Sequence, residues 1–237
     1  MVKKKLTRKE LLSQSDEFMT QTQRVISFVG RHPGKFIIGA AAALALLLTV
    51  MGIKVYMDRH TGQALAAYSE ALAQANRLKS RDNKGAGEEI EAVLDALERV
   101  STKYARTTPG RLVLLDLGTL YFHLKRYDEA RYTYKKCLKV LKPEEESLRP
   151  FILDSLAYTY EAQNKLTEAA AQWEEIVRLP GNILKDEAFL SLGRVYEALN
   201  EPEKAGEAYR QLIDRFPDSP HFSLASFKLK RVAPRKP

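Results

Sequence analysis

The sequence feature that most constrains the fold is a pattern of residues that occurs three times between residues 111 and 219. Each copy has apolar, small and aromatic residues at the same eight relative positions. The three copies contain Leu114, Leu117, Gly118, Tyr121, Tyr127, Ala130, Tyr134 and Cys137; Leu153, Leu156, Ala157, Tyr160, Leu166, Ala169, Trp173 and Ile176; and Phe189, Leu192, Gly193, Tyr196, Pro202, Ala205, Tyr209 and Leu212. Successive copies lie 39 and 36 residues apart. Constant internal spacing with variable connections predicts a helical hairpin repeated three times.

The pattern has a physical explanation in the packing of two helices. Small residues on both helices let the backbones approach, and aromatic residues fill the space beside the crossing. The residues to which we assign this packing role are Gly118, Tyr121, Ala130, Tyr134, Ala157, Tyr160, Ala169, Trp173, Gly193, Tyr196, Ala205, Tyr209 and Pro217.

These residues resemble the tetratricopeptide repeat, a helix–turn–helix unit of about 34 residues. The resemblance implies an all-α fold, a solenoid of helical hairpins, with repeats over 111–144, 150–183 and 186–219. Apolar periodicity outside the repeats predicts an atypical hairpin within 58–110 and a capping helix over 220–232. We expect residues 233–237 to be disordered. The acidic run 144–146 is interpreted as a solvated turn that opens the next helix.

An uncharged run of 18 residues from Phe36 to Ile53 predicts a transmembrane helix, extended to 36–57 by an interfacial Lys54 and Tyr56. A buried core helix is the alternative, but such helices rarely stay apolar on every face. The preceding segment 1–35 is basic and carries a seven-residue apolar repeat, which predicts an amphipathic helix. The positive-inside rule places this segment in the cytoplasm, and we expect an uncleaved anchor rather than a signal peptide.

The formal net charge of +8 is concentrated at the two ends of the chain. Residues 1–35 contain eight Lys or Arg and three Asp or Glu, and residues 219–237 contain five Lys or Arg and no acid. A nucleic-acid-binding protein carries its basic residues on the folded body. The charge distribution therefore predicts no nucleic-acid partner.

The sequence contains no pattern typical of an active site. The four histidines are scattered without metal-ligand spacing, and there is no nucleophile elbow. The single cysteine, Cys137, occupies a packing position of the repeat, which predicts a buried structural thiol. We therefore expect no enzymatic activity, no metal and no cofactor.

The tetratricopeptide resemblance implies a polypeptide-binding groove formed by the first helix of each hairpin. The residues at the family's groove positions are Leu112, Leu115, Thr119, Phe122 and His123; Phe151, Asp154, Tyr158 and Glu161; and Leu190, Arg194 and Glu197. The early part of this groove is apolar and aromatic, and the later part is mostly acidic. Leu115 and Thr119 stand where some members have a Lys and an Asn that clamp a terminal carboxylate, so we expect no such clamp. The alternative is that some of these residues pack against the N-terminal hairpin.

The order of segments, a basic tail, one span and then repeats, resembles the YfgM-like family of bacterial inner-membrane proteins. That resemblance implies a periplasmic repeat domain, an N-terminus in the cytoplasm, and an ancillary role at the Sec translocon in binding secreted polypeptides together with chaperones. The alternative function is an inner-membrane scaffold of a cell-envelope assembly complex. Gly39 and Ala43 in the span also permit the hypothesis of a homo-oligomer.

Overall fold

The computed structural model describes residues 33–79, 87–181 and 183–232, and every regular element within these ranges is helical. The elements are α1 (Pro33–Lys79), α2 (Gly87–Lys103), α3 (Thr108–His123), α4 (Tyr127–Val140), a 3-10 helix (Pro143–Leu148), α5 (Arg149–Ala162), α6 (Leu166–Arg178), α7 (Lys185–Ala198), α8 (Pro202–Arg215) and α9 (Phe222–Val232). The predicted all-α class is therefore confirmed. The amphipathic helix expected within 1–35 and the tail 233–237 lie outside the described residues, apart from residues 33–35.

The chain divides into two units, Met1–Arg59 and His60–Pro237, and each is described by itself. In the first unit, the described residues belong to α1. The side chains of α1 from Phe36 to Met57 are exposed. An 18-residue window of this helix has a mean hydropathy of 2.5, and none of that window is buried. By length and composition, α1 is the one helix among the described residues that is a candidate for crossing a membrane.

The second unit is a series of helical hairpins. Helices α3 and α4, α5 and α6, and α7 and α8 pack in pairs, and each second helix also packs against the first helix of the next pair. Helix α2 packs on α3 at one end of the series, and α9 packs on α8 at the other. A single hydrophobic core runs through this unit, with Trp173 and Tyr209 completely buried in it. This arrangement is the solenoid that the sequence predicts.

Within each hairpin, the two helices approach at a small residue that faces an aromatic ring. A Cβ atom at Gly118 would lie only 2.6 Å from Cε1 of Tyr134, and the same conflict arises between Gly193 and Tyr209. In the second hairpin Ala157 and Trp173 are both fully buried. The twelve other residues predicted to pack are buried, whereas Pro217 is exposed. Helix α8 ends at Arg215, and Pro217 follows the capping residue Phe216. Pro217 prevents the helix from continuing, because proline has no backbone N–H to donate to the helical ladder.

The turn inside each hairpin has the same backbone conformation. Lys125, Asn164 and Asn200 have φ values of 60°, 57° and 58°. The residue that follows donates its backbone N–H to the carbonyl oxygen of the buried tyrosine that lies five positions earlier. These bonds join Arg126 to Tyr121 at 2.9 Å, Lys165 to Tyr160 at 2.9 Å and Glu201 to Tyr196 at 2.8 Å. This left-handed residue closes the first helix and lets the second helix return antiparallel to it.

The acidic run 144–146 differs from the predicted solvated turn. It lies in the 3-10 helix Pro143–Leu148, and its middle residue, Glu145, is only 6% exposed. Glu145 accepts hydrogen bonds from the guanidinium of Arg111, at 2.5 Å from Nη2 and 2.9 Å from Nε. Arg111 also donates to the carbonyl oxygen of Arg106. The turn is therefore held against the start of α3 by a buried ion pair, while Glu144 and Glu146 stay in solvent.

Candidate functional site

The predicted groove residues lie along one side of the first helices α3, α5 and α7, and we call them together the first-helix face. None of the twelve is fully buried. Phe151 and His123 are exposed, and the other ten are half-buried. A row of half-buried side chains that crosses three hairpins is accessible to a partner without unfolding of the core. The structure thus brings the residues of the first-helix face together in one series.

The α3 part of this face is apolar. Leu115 and Phe122 pack against the edge of the core, and the ring of Phe122 contacts those of His123 and Tyr127 at centroid distances of 5.9 and 5.6 Å. Thr119 lies 3.1 Å from the hydroxyl of Tyr134, so its side chain is tied to the second helix of the same hairpin.

Residues 60–79 of α1 belong to the second unit, and they contact the same helix α3. The hydroxyl of Tyr68 donates a hydrogen bond to Asp116, which lies between Leu115 and Thr119 on α3 in sequence but outside the predicted set. This contact supports the alternative that part of the early face packs against the N-terminal helices. The accessible part of the α3 face is therefore centred on Phe122 and His123.

The α5 part of the face contains a buried carboxyl group. The indole N–H of Trp173, which is fully buried, donates to Asp154 at 2.8 Å. Burial raises the pKa of Asp154 to about 6, and the nearby charge of Glu187 acts in the same direction. Tyr158 stacks edge-on against Trp173 at 5.3 Å and donates its hydroxyl to Glu187 at 3.2 Å. Asp154 is therefore held in place by one neutral donor, Trp173, and Glu187 accepts from another, Tyr158.

The later part of the face is less acidic than the sequence suggests, because two of its carboxylates, Glu161 and Glu197, have cation partners. Arg194 on α7 forms a two-pronged ion pair with Glu161 on α5, with 2.9 Å between Nη2 and Oε2. Glu197 accepts from Lys228 on α9 at 3.0 Å and from the hydroxyl of Tyr209 at 2.6 Å. Among the described residues, Asp154 and Glu187 have no ion-pair partner. Uncompensated negative charge therefore remains only near the start of the α5 and α7 parts.

Sequence reasoning missed these pairs because they join residues about one repeat apart. Glu161 and Arg194 are separated by 33 positions, and Arg111 and Glu145 by 34. Opposite charges at a separation of one repeat are the signal that would have predicted them. A related contact joins the first-helix tyrosines to the preceding second helix: Tyr121 donates to Glu98 on α2, as Tyr196 donates to Glu174 on α6. Helix α2 thus takes the place of a second helix at the start of the series.

The chemistry available on the first-helix face is that of binding. Where a carboxylate clamp would have a Lys and an Asn, this chain has the apolar side chain of Leu115 and the hydroxyl of Thr119. The thiol of Cys137 is 1% exposed, and burial raises its pKa to about 11, so it is protonated at neutral pH. In the described part of the chain, no group of three or more His, Cys, Asp or Glu residues could hold a metal ion.

Comparison with known proteins agrees with this architecture. Two family models described as tetratricopeptide repeat match residues 113–140 and 155–220. These ranges cover most of the first hairpin and most of the second and third hairpins. The three hairpins are therefore similar to tetratricopeptide repeats, and the second unit is a helical solenoid with the fold of tetratricopeptide-repeat structures. Repeats of this class are typically non-enzymatic scaffolds that bind other proteins.

Similar proteins share the repeat fold over part or most of the chain. Kinesin light chain-related protein 1 of Arabidopsis thaliana is 28% identical over 116 residues, 45% of this chain, and this chain spans only 19% of that relative. Among solved structures, the MamA protein has a TM-score of 0.53 at 17% identity, over 70% of this chain and 80% of that chain. A putative kinesin light chain from Podosopora anserina has a TM-score of 0.53 at 18% identity, over 73% of this chain and 86% of that chain. At these identities the structures show the fold alone.

Proposed function

We propose that the protein is a membrane-anchored interaction module whose first-helix face binds segments of other polypeptides. The observation that carries this proposal is the row of half-buried and exposed side chains on α3, α5 and α7, apolar around Phe122 and Phe151 and polar around Asp154. Mixed apolar and polar surfaces with hydrogen-bonding side chains are suited to extended or helical polypeptide segments.

The anchor in this proposal is the apolar part of α1, residues 36–57. Its side chains are exposed to the surroundings over more than five turns, and a water-soluble helix does not expose such a surface. The basic residues that precede this helix favour an N-terminus in the cytoplasm and a repeat unit across the membrane. The proposed segments are therefore a tail over 1–35, the span, an N-terminal hairpin over 58–110, three repeats over 111–219 and a capping helix.

The resemblance to the YfgM-like family extends this proposal to a location and a process. In this more specific form, the protein is an ancillary subunit at the periplasmic side of the Sec translocon in a bacterial inner membrane. Its ligands are secreted polypeptides that emerge unfolded. The second candidate is a scaffold that holds one fixed cell-envelope assembly protein. The two candidates differ in how many different chains occupy the first-helix face.

Photo-crosslinking in living cells distinguishes the candidates. A photoreactive phenylalanine analogue replaces Phe122, which lies on the first-helix face, and in a matched control it replaces Tyr132 on α4, which is 71% exposed. Adducts are identified by mass spectrometry. We expect many secreted chains together with translocon or chaperone subunits at position 122, and few of these at position 132.

A single dominant envelope protein at position 122 would favour the scaffold and contradict the translocon role. Equal adducts at positions 122 and 132 would contradict the assignment of the first-helix face as the binding surface.

A further inference from the structure

An apolar cavity lies beside the first-helix face, between the connections that join successive hairpins. Its volume is about 580 Å³, which is within the range of pockets that hold drug-sized ligands and therefore leaves ample room for one large side chain. Pro150 and Phe151 of α5 form one side, and Leu179, Ile183 and Leu184 from the connection between α6 and α7 form the other. Phe151 belongs both to this cavity and to the first-helix face.

The cavity exists because the connections between hairpins are longer than the repeat requires. The small residues at the helix crossings are 39 and 36 residues apart, against about 34 in a standard repeat. The extra residues of the first connection form the 3-10 helix Pro143–Leu148, whose Glu146 and Ser147 line the cavity. The buried pair of Arg111 and Glu145 holds that helix in place. One wall of the cavity is thus fixed by a specific interaction.

Two apolar side chains of this cavity are exposed to water. Ile183 is 78% exposed, the highest fraction of any large hydrophobic side chain that the structure describes, and Phe151 is 40% exposed. An apolar side chain of a partner that entered the cavity would remove this surface from water, which favours binding.

The charges beside the cavity define the partner further. Asp154 lies one turn along α5 from Phe151, and Glu187 lies at the start of α7, one turn after Leu184. Among the described residues these carboxylates have neutral hydrogen-bond donors, Trp173 and Tyr158, and no cation. Glu161 and Glu197 farther along the face are already paired with Arg194 and Lys228. A basic group of a partner is therefore attracted to the end of the face where the cavity lies.

From these observations we propose that the cavity is an anchor site for one large apolar side chain, Phe or Leu, of an extended polypeptide segment, with an adjacent Lys or Arg against Asp154 and Glu187. The proposal rests on the proposed function and adds the sequence preference of the bound segment.

Peptide titration of the full chain in lipid nanodiscs tests this preference. The probe is a fluorescein-labelled 15-residue Gly/Ser peptide with a central Phe-Lys pair, and its anisotropy reports binding. Two further peptides replace the Phe by Ala or the Lys by Glu. We expect replacement of the Phe by Ala to weaken binding to the wild-type chain by about tenfold or more, since one buried apolar side chain contributes roughly that factor. We expect replacement of the Lys by Glu to weaken binding as well, because it places a negative charge against Asp154 and Glu187.

Protein variants locate the effect in the cavity. Ile183→Ser reduces the apolar wall at an exposed position, and Tyr132→Ser makes a similar change on α4 outside the cavity. We expect Ile183→Ser to reduce the difference between the Phe and Ala peptides several-fold, and Tyr132→Ser to leave it unchanged.

The outcomes separate this proposal from the proposed function. If the wild-type chain binds the Phe and Ala peptides equally well, or if Ile183→Ser leaves their difference unchanged, the anchor site is wrong and polypeptide binding by the first-helix face still stands. If the wild-type chain binds none of the three peptides, both the anchor site and the proposed function are contradicted.

Discussion

At the residue scale, Gly193 and Gly206 both lie buried in the third hairpin, but only Gly206 has room for a methyl group. A Cβ atom at Gly193 would overlap the ring of Tyr209, whose hydroxyl is fixed by Glu197. At Gly206 the nearest atoms, in Leu229 and Val232, are 3.7 Å away, an ordinary contact. Glycine is thus a packing requirement at position 193, where the two helices of the hairpin approach, and a matter of helix propensity at position 206.

We predict opposite effects for the same substitution at these two glycines. Gly193→Ala should lower the free energy of unfolding by about 1–3 kcal/mol, because the added methyl group overpacks the core. Gly206→Ala should leave it unchanged or raise it by up to about 1 kcal/mol, because alanine favours the helix. Urea unfolding followed by circular dichroism measures both. Equal destabilisation by the two variants would contradict the close approach at Gly193.

Asp154 predicts a pH dependence of stability. Its pKa is raised from 3.8 to about 6, so between these pH values the folded state binds more protons than the unfolded state. The free energy of unfolding therefore falls as pH rises through this window. Asp154→Asn should be more stable than the wild type at pH 7 by roughly 1–3 kcal/mol, because a neutral amide oxygen still accepts the Trp173 hydrogen bond without a buried charge.

The measurement is urea unfolding of both proteins from pH 4 to pH 7.5. The stability difference should grow as pH rises from 4 to about 6 and then level off. A difference that is constant with pH would show that Asp154 does not titrate in this window.

At the scale of elements, the hairpins were predictable and the connections between them were not. The local spacing of Gly118, Ala130 and Tyr134 is typical of two helices that pack closely against each other. Each copy of the pattern therefore predicts two helices, and the three copies predict six. The ion pair between Arg111 and Glu145 joins residues 34 positions apart, and nothing in the local sequence separates Glu145 from its solvated neighbours. The positive φ of Lys125 also could not be predicted from the sequence, since lysine is not typical of the left-handed conformation.

The placement of the candidate site residues on the first helices was predictable, and the pairing of their charges was less so. The repeat register placed Phe122, Phe151 and Asp154 on the first helices, and the structure leaves them on a half-exposed face. The sequence suggested an acidic later groove, whereas Glu161 and Glu197 are paired with Arg194 and Lys228. Charge pairing across repeats depends on side-chain geometry between hairpins, which the register alone does not determine.

The buried pair predicts different outcomes for two adjacent glutamates. Glu145→Gln should lower the free energy of unfolding by about 3–5 kcal/mol, because it leaves the guanidinium of Arg111 buried without a counter-charge. Glu146→Gln is the matched control. Its pair with Arg149 is exposed, so the expected loss is at most about 1 kcal/mol. Thermal unfolding of both variants checks this, and similar losses for the two would contradict the buried role of Glu145.

At the scale of the whole molecule, the proposed topology predicts which residues are accessible from outside the inner membrane. Ser223→Cys on α9 introduces an exposed thiol, whereas the native Cys137 is buried and should not react. In cells with a permeabilised outer membrane, a membrane-impermeant maleimide should label position 223. The control, Ser13→Cys in the basic N-terminal segment, should be labelled only after lysis. The reverse pattern would contradict the proposed orientation.

The proposal that the first-helix face binds polypeptides is tested most directly by finding which helices a bound polypeptide covers. Hydrogen exchange of the full chain in nanodiscs, with and without reduced and carboxymethylated α-lactalbumin as an unfolded ligand, measures this helix by helix. The proposed function predicts slower exchange in α3, α5 and α7, with the largest change at the start of α5 near Phe151, and no change in α4, α6 and α8. Slower exchange mainly in the second helices, or no change in any helix, would contradict the first-helix face as the binding surface.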